Sequence, residues 1–144
     1  MSDTLDSVLM AIRDSWSAET VFSTDDWSSN NPERGQCAVS ALVVQDYLGG
    51  ELKKYRTTFK YDARESHYTN VLADRTEVDV SRSQYPEDQQ LVESAIDLKG
   101  FSSIREKLFS EANTKQRYEL LKSKVARNYT RDLHLKILTC STGI

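Results

Sequence analysis

A chain of 144 residues, of which 38% are hydrophobic and 28% charged, is long enough for a core of its own and predicts a single domain over residues 1–144. No apolar run approaches the ~20 residues of a membrane-spanning helix, and the acidic start lacks a signal peptide's basic residues, so we expect a cytoplasmic protein without a membrane partner. The net charge of −3 divides into −8 for residues 1–100 and +5 for residues 101–144, an asymmetry that can mark a nucleic-acid-binding protein. Because the basic residues fall on a C-terminal helix that can face the acidic remainder of the chain, we do not expect nucleic acid as a partner.

The first predicted element is an amphipathic helix over Thr4–Trp16, whose apolar residues recur at helical spacing. The polar segment Ser23–Arg34 follows and predicts a loop. Because this loop leads directly into the next helix, which begins with a cysteine, we expect its residues Trp27, Asp25 and Asp26 to line the approach to that thiol.

The second helix begins at Cys37 and is the most informative element of the chain. From Cys37 to Gln45 it carries no charge, and small and apolar residues lie all round it, which predicts a helix inside the protein that ends at Gly49 and Gly50. A thiol in the first turn of a helix feels the positive end of the helix dipole, which favours the nucleophilic thiolate. Cys37 is therefore either a small packing residue, the commoner role of a lone buried cysteine, or an activated nucleophile.

Strands are predicted in the middle of the chain and mostly helices at its end. The predicted strands are Glu51–Tyr61, His67–Ala73 and Glu77–Ser81, with a charged turn at Asp62–Glu65 before the second. The later predicted elements are a weak helix over Tyr85–Ala95, helices over Ser102–Glu111 and Lys115–Asn128, and a last strand over Leu133–Leu138. This mixture predicts an α+β fold in which the cysteine-bearing central helix packs on a small antiparallel sheet between helical N- and C-terminal segments.

The two strands after the turn predict a hairpin in which Ala73 pairs with Glu77 across a three-residue tip. This register places His67 and Asp79 on one polar face, because directly paired residues share a face. It also separates them by four residues along the strand, two positions on the same face, roughly 13 Å. A bulge, or a position of His67 ahead of the paired residues, has to close that gap; otherwise Asn70 or Glu77 orients His67 instead.

The order Cys37, His67, Asp79 supplies the residue types of a cysteine-based catalytic triad, with the cysteine at a helix start and the other two on adjacent strands. An imidazole can take the thiol proton, and a carboxylate can hold the imidazole in the useful tautomer. The alternative is that the three residues serve packing and the surface.

The run Gly35–Ala41 (GQCAVSA) resembles the nucleophile motif of transglutaminase-like cysteine enzymes, in which Gly-Gln-Cys opens the central helix. The run Asp79–Ser81 resembles the Asp-Pro-Thr segment that carries the third residue of those enzymes. One departure is Ala38, which stands where true transglutaminases carry an aromatic residue.

The chain also resembles the YunG-like family of small bacterial proteins over roughly residues 30–130. The matching runs are Gln45–Glu51 for Gln-Asp-Tyr/Phe-x-Gly-Gly-Glu, His67–Leu72 for His-Tyr-x-Asn-x-Leu, and Asp79–Tyr85 for Asp-x-Ser/Thr-x-x-Gln-Tyr/Phe. This resemblance implies a papain-like or transglutaminase-like core and implies no particular substrate.

The residues and the resemblance together favour a cysteine hydrolase, amidase- or peptidase-like, with an amide-containing substrate. In this hypothesis Cys37 attacks the carbonyl to form a thioester, His67 accepts and returns the proton, and Asp79 orients His67. An acyltransferase on the same triad and a catalytically inactive binding domain of the same fold are the alternatives. The sequence specifies neither the substrate nor the oligomeric state.

Three further residues are candidates for contacts with a substrate. Gln36 could stabilise an oxyanion through its amide, as could the backbone N–H of Cys37. Asn70 could hydrogen-bond a substrate, and Trp27 could form part of a substrate wall with Tyr68. Each also has a structural interpretation: helix entry for Gln36, a turn for Asn70, and core packing for the aromatic residues.

The chain has two histidines and two distant cysteines, without His-Glu-x-x-His or Cys-x-x-Cys spacing, which predicts no metal site and no other cofactor. The second histidine, His134, is expected at a surface or edge. Cys140 lies far along the chain from Cys37 and is expected to play no part in the site or in a disulfide.

Overall fold

The computed structural model describes residues 2–22, 27–57 and 65–142, and gives only the backbone of residues 2, 3 and 139–142. In chain order the elements are α1 (Ser2–Ser15), α2 (Cys37–Leu48), β1 (Glu51–Thr57), β2 (Ser66–Val71), β3 (Glu77–Val78), a 3₁₀ helix (Arg82–Gln84), β4 (Leu91–Glu93), α3 (Ile104–Phe109) and α4 (Ala112–Thr142). The four strands form one antiparallel sheet in the order β3-β2-β1-β4. The protein therefore has the predicted α+β fold, with a small antiparallel sheet and helices.

Helix α2 lies at the centre of the hydrophobic core. Its residues Val39–Val44 are all buried, because the uncharged run leaves the helix without a polar face. Helix α1 contributes Val8 and Ile12 to the same core, and α4 contributes Leu121 and Val125. Full burial of each of these side chains stabilises the fold by about 1.5–3 kcal/mol relative to exposure. The start of α2, where the cysteine lies, is thereby fixed relative to the rest of the protein.

Strand β2 joins the sheet to α2. Asn70 Nδ2 donates a hydrogen bond to Ala41 O at 2.8 Å, and Val78, which pairs with Asn70 and shares its face, is buried. The start of β1 lies so close to β2 that a Cβ at Gly50 (φ +79°) would be 2.3 Å from Val71 O. Glycine is therefore required where α2 turns back into the sheet.

Ion pairs tie the basic C-terminal part of the chain to acidic groups elsewhere. Asp46 on α2 accepts from Arg105 on α3 at 2.6 Å and lies 3.5 Å from Lys122 on α4. Lys124 lies 3.9 Å from Glu19. Part of the positive charge of residues 101–144 is thus directed at the acidic remainder of the chain.

The hairpin between β2 and β3 differs from the predicted register by two residues. Val71, not Ala73, pairs with Glu77, so the predicted pairing is wrong. A shift of two residues leaves every side chain on its predicted face, since the side-chain period of a strand is two. His67 and Asp79 therefore remain on one face but come closer together along it.

The cause of the shift lies in the tip of the hairpin, which begins one residue earlier than the predicted Asp74–Thr76. The loop closes through a 2.9 Å hydrogen bond from Leu72 N to Thr76 O. Asp74 Oδ1 accepts from the Thr76 N–H at 2.9 Å, and Arg75 takes the left-handed conformation with φ +72°. Such an Asx turn followed by a left-handed residue is typical of three-residue hairpin loops.

Two predictions for the C-terminal half are wrong. The segment Tyr85–Ala95, predicted as a weak helix, contains β4, because Leu91–Glu93 pairs with the edge of β1. The segment Leu133–Leu138, predicted as a strand, belongs to the 31-residue helix α4. Nothing in the sequence breaks the helix after Asn128, so it continues and leaves its apolar residues about half exposed, Leu133 at 48% among them.

The predicted helices over Thr4–Trp16 and Ser102–Glu111 correspond to α1 and α3, and the one over Lys115–Asn128 lies within α4. No helix in the described ranges combines the length and the apolar character needed to cross a bilayer. Some predictions fall outside the described residues: the end of the strand over Glu51–Tyr61, most of the turn at Asp62–Glu65, the positions of Asp25 and Asp26, and the side chain of Cys140.

Candidate active site

Cys37 is the first residue of α2 and is half-buried. The chain reaches it through Gly35, whose φ is +74° and where a Cβ would lie 2.6 Å from Val21 Cγ2. Only glycine permits both that conformation and that approach. The thiol Sγ donates to Ser66 O, at the start of β2, at 3.8 Å. The thiol therefore lies where the positive end of the α2 dipole meets the first residue of a strand.

His67 follows on β2, and its side chain is fully buried. Its Nε2 lies 2.7 Å from Asp79 Oδ2. Continuing the observed register of β2 and β3 places Asp79 opposite Thr69, about 7 Å along the strand from His67, a gap that the two side chains span. The two-residue shift of the hairpin thus closes the distance that the predicted register left open, without a bulge.

The surroundings of His67 act on its pKa in opposite directions. Burial lowers the pKa, whereas the hydrogen bond with Asp79 and the hydrogen bond and charge of Cys37 raise it, with a net rise from 6.5 to about 9. The carboxylate and the sulfur thus together outweigh the loss of water around the ring. The structure brings Cys37, His67 and Asp79 into one cluster.

A fourth side chain, that of Gln84, contacts the other ring nitrogen of His67. Gln84 Nε2 lies 3.1 Å from His67 Nδ1, and Gln84 Oε1 accepts from the Gly35 N–H at 3.3 Å. The buried amide therefore links His67 to the glycine that precedes Cys37 by two residues. An amide nitrogen can only donate, so this arrangement suits a ring whose Nδ1 carries no proton.

The short 3₁₀ helix Arg82–Gln84 positions the Gln84 amide. Gln84 N donates to Ser81 O at 3.0 Å, within that turn. The Arg82 guanidinium donates to four carbonyl oxygens of the following loop, those of Tyr85, Pro86, Glu87 and Gln89. This set of bonds fixes the segment between β3 and β4, and with it the direction of the amide.

An aromatic ring and an ion pair lie next to the imidazole. Tyr85 lies edge-on to His67, with ring centroids 5.2 Å apart. Its hydroxyl donates to Glu65 Oε2 at 3.2 Å, and Glu65 Oε1 pairs with Arg34 at 2.8 Å. Burial, followed by the charges of Cys37 and Glu65, raises the pKa of Tyr85, so the phenol stays neutral. These groups shield His67 from water on that side.

The Gln36 amide, a predicted oxyanion donor, has partners of its own. Its Oε1 accepts from Thr20 Oγ1 at 2.8 Å, and its Nε2 donates to Ser17 O at 3.2 Å. Gln36 is fully buried and caps the start of α2. These contacts anchor the helix entry; the oxyanion role of Gln36 stays a prediction.

The remaining predicted residues lie in different surroundings. Asn70 is buried and donates to the α2 backbone, while its Oδ1 has no hydrogen-bond partner among the described residues. Trp27 is half-buried, and its buried Nε1 likewise has no partner within the described ranges. Glu77, an alternative to Asp79 for orienting His67, instead accepts from Tyr55 at 2.6 Å and from Thr69 at 3.2 Å.

Two further groups lie within electrostatic reach of Cys37. Burial, with the charges of Cys37 and Glu111, raises the pKa of Tyr68 to about 12. Burial lowers the pKa of Arg117, whereas the charges of Cys37 and Glu111 raise it. The charge of Cys37 thus acts on side chains of β2 and α4 as well as on His67.

Sequence reasoning assigned no role to Gln84, Tyr85 or Arg117. The first two were visible within the Asp79–Tyr85 run that carries the family resemblance, whereas Arg117 looked like one more cation of the basic C-terminal region. The second histidine, His134, is exposed on α4. No group of three or more His, Cys, Asp or Glu side chains suited to a metal ion occurs in the described part of the chain.

Comparison with known proteins gives two matches. Residues 4–130 match the sequence model of a family described as "YunG protein". A Bacillus subtilis (strain 168) protein described as "Uncharacterized protein YunG" is 29% identical over 124 residues, which cover 86% of this chain and 93% of that protein. No solved structure matches this one. The matched span includes the start of α2, strand β2 and the segment that carries Asp79 and Gln84.

Proposed function

The chain belongs to the YunG family, and we propose that it is a cysteine hydrolase that cleaves an amide through a thioester on Cys37. The observation that carries this proposal is the fully buried His67, which lies 2.7 Å from the Asp79 carboxylate and whose pKa is raised by its hydrogen bonds with Asp79 and Cys37. A buried imidazole with a carboxylate on one nitrogen is suited to take a thiol proton on the other.

In the first half of the proposed reaction, the Cys37 proton moves to His67 Nδ1 and Sγ adds to the amide carbonyl carbon. The C–N bond then breaks, and His67 returns the proton to the departing amine nitrogen, which leaves a thioester on Cys37. In the second half, His67 takes a proton from a water molecule while the water oxygen adds to the carbonyl carbon of the thioester. The C–S bond breaks and the proton returns to Sγ, so that amide and water have become carboxylic acid and amine.

Asp79 serves this reaction through His67 and does not touch the substrate. Its bond to Nε2 holds the proton on that nitrogen, so Nδ1 is the atom left to accept from the thiol. Its charge also stabilises the imidazolium that forms once Nδ1 is protonated.

We assign Gln84 to positioning the ring of His67. While Nδ1 carries no proton, the Gln84 amide donates to it and holds the ring in place. Once Nδ1 is protonated, the amide has to rotate so that its oxygen accepts, and the bond from Gly35 is lost. The protonation of His67 is therefore coupled to the loop that precedes the nucleophile.

For the oxyanion we assign the backbone N–H of Cys37, because both ends of the Gln36 amide are engaged elsewhere. We also assign the core to the papain-like or transglutaminase-like type, in which a cysteine opens a central helix and the histidine and carboxylate come from an antiparallel sheet. A free thiol persists most readily in reducing surroundings, so we propose a cytoplasmic location.

The test is acylation of Cys37 by p-nitrophenyl acetate, followed by release of p-nitrophenolate and by the mass of the intact protein. We expect a burst of about one equivalent, an acetyl group on the Cys37 peptide, and then steady turnover. Cys37→Ala abolishes both phases, and His67→Ala slows both. The matched control is His134→Ala, since this exposed histidine lies outside the cluster and its loss leaves both phases unchanged.

The same assay separates the three candidate functions. Turnover in water supports the hydrolase. A stable acetyl-Cys37 that is released only when a primary amine is added supports the acyltransferase instead. If Cys37 is not acylated faster than a free thiol, the triad is inactive and a binding domain of the same fold is the better account.

A further inference from the structure

Arg117 on α4 is a buried cation whose hydrogen-bond partners among the described residues are all neutral. Only 6% of it is exposed. Nε donates to Asn113 Oδ1 at 2.9 Å, Nη1 to Thr20 O at 3.3 Å, and Nη2 to Thr114 Oγ1 at 3.4 Å. Among the described residues no carboxylate lies within 4 Å of the guanidinium as an ion pair. The Glu111 carboxylate acts on this charge without an ion pair and accepts from Thr114 Oγ1 at 3.5 Å. A buried charge without a direct ion pair is unfavourable, and the three bonds use only three of its five N–H donors.

The guanidinium borders a cavity of about 550 Å³ between α4 and the segment after α1. Phe22, 69% exposed, forms one wall, with the guanidinium 5.5 Å from the ring centroid. The polar side chains Asn113 and Gln116 line the α4 side. Of the residues that the structure describes, Glu19 is the acidic one that lines this cavity, and its carboxylate lies 3.9 Å from Lys124. The cavity has the size of a site for a small organic group.

This cavity and the Cys37 thiol share a common support. Thr20, whose carbonyl oxygen accepts from Arg117, donates through its hydroxyl to Gln36 at 2.8 Å. Phe22 N donates to Gly35 O at 3.0 Å. The same short segment therefore forms a wall of the cavity and holds the two residues before Cys37. The effect of the Cys37 charge on the pKa of Arg117 agrees with this proximity.

We propose that Arg117 is the anchor of an anion subsite beside Cys37, and that the amide hydrolysed there carries a carboxylate. A guanidinium with two N–H groups that the three bonds above do not use can form charge-assisted hydrogen bonds with a carboxylate, which supplies a counter-charge in direct contact. The inference rests on the proposed function, because it names the substrate class of the same thiol.

The experiment compares anionic and neutral thiol reagents on the intact protein at low ionic strength: iodoacetate with iodoacetamide, and the longer 3-maleimidopropionate with N-ethylmaleimide. For each pair the rate ratio, anionic over neutral, is measured on Cys37 by peptide mapping and on glutathione. We expect at least one ratio to be about tenfold larger on Cys37, the gain from one charge-assisted hydrogen bond. Arg117→Gln returns it to the glutathione value, and Arg117→Lys retains part of the gain.

The matched control is Arg127→Gln, which removes an exposed arginine from the same helix and leaves the ratios unchanged. If Arg117→Gln slows the anionic and the neutral reagents equally, or if the wild-type ratios equal those of glutathione, the anion subsite does not exist. The rate with iodoacetamide alone reports on the nucleophile, so failure of the subsite is distinguishable from failure of the proposed function.

If circular dichroism shows that Arg117→Gln does not fold, a second measurement tests the subsite without any variant. On the wild-type protein, sodium succinate slows the alkylation of Cys37 by iodoacetamide more than sodium chloride of equal ionic strength. Equal slowing by the two salts contradicts the proposal. Two activated esters show which side of the scissile bond bears the carboxylate: mono-4-nitrophenyl succinate carries it on the acyl group, and 4-acetoxybenzoate carries it on the leaving group. If Arg117→Gln loses acylation of Cys37 by either ester, the result supports the subsite.

Discussion

Replacing Asp79 by Asn tests the contact on which the state of His67 depends. The replacement removes the charge that lies 2.7 Å from Nε2 and keeps the size of the side chain. In the intact protein the pKa of His67 is raised from 6.5 to about 9, and the hydrogen bond with Asp79 is the largest of the causes that raise it. At about 1.4 kcal/mol per pKa unit, this rise amounts to about 3 kcal/mol in favour of the imidazolium. With Asn at this position, burial opposes the charged ring with less compensation, and the pKa of His67 falls.

The assay is a pH titration of the imidazole nitrogens by ¹⁵N NMR, in which the chain's two histidines give separate signals. His134 is exposed on α4 and serves as an internal control whose titration does not change. The matched control is Glu77→Gln, which removes another carboxylate of the same hairpin; that carboxylate accepts from Tyr55 and Thr69. A pKa of His67 that is unchanged in Asp79→Asn, or that falls equally in Glu77→Gln, refutes the reasoning.

Three further predictions follow from the same contacts. Gln84→Glu places a carboxylate against Nδ1 and raises the pKa of His67 above its wild-type value in the same NMR titration, whereas an unchanged titration contradicts the observed contact. Folding raises the pKa of His67, so the protonated ring stabilises the fold fully below about pH 6.5, and the free energy of unfolding in urea falls by about 3 kcal/mol as the pH rises through about 9. Asp79→Asn abolishes most of this fall, and a free energy of unfolding that does not change with pH in the wild type contradicts the raised pKa. Gly50→Ala puts a Cβ 2.3 Å from a carbonyl oxygen of β2, whereas the Cβ of Gly49→Ala, at a similar positive φ, meets nothing within 4 Å. We expect the free energy of unfolding in urea to fall by about 2–3 kcal/mol for Gly50→Ala and by about 1 kcal/mol for Gly49→Ala, and equal losses contradict the close approach.

The start and character of the central helix were readable from the sequence. An uncharged run between Cys37 and Gln45, bounded by glycines, leaves no polar face, so the helix has to lie inside, and the structure begins it at Cys37. The face of the hairpin that carries His67 and Asp79 was also predictable, because strand alternation fixes faces independently of register.

The register of that hairpin was not readable from strand pattern alone. It depends on the left-handed conformation of Arg75 and on the bond from Thr76 N to Asp74, and a one-residue difference in the tip moves every pair by two. The strand predicted over Leu133–Leu138 failed because alternating Leu and Ile can equally lie on an exposed helix that nothing interrupts.

The groups around the triad depend on long-range contacts that a pattern does not contain. Gln84 reaches His67 because Arg82 fixes the loop after β3, and that loop has no periodic signature. Arg117 is buried because the segment after α1 folds over it, and sequence reasoning places an arginine on the surface by default.

The most direct test of the central claim is the rate at which iodoacetamide alkylates Cys37 between pH 6 and 8, measured by peptide mapping so that Cys140 is scored separately. If His67 and Asp79 activate the thiol, Cys37 at pH 7 reacts about tenfold faster than glutathione, and His67→Ala removes most of that advantage without changing the circular dichroism spectrum. If Cys37 instead reacts no faster than glutathione, and His67→Ala makes no difference, the cysteine is a structural residue and the hydrolase account is wrong.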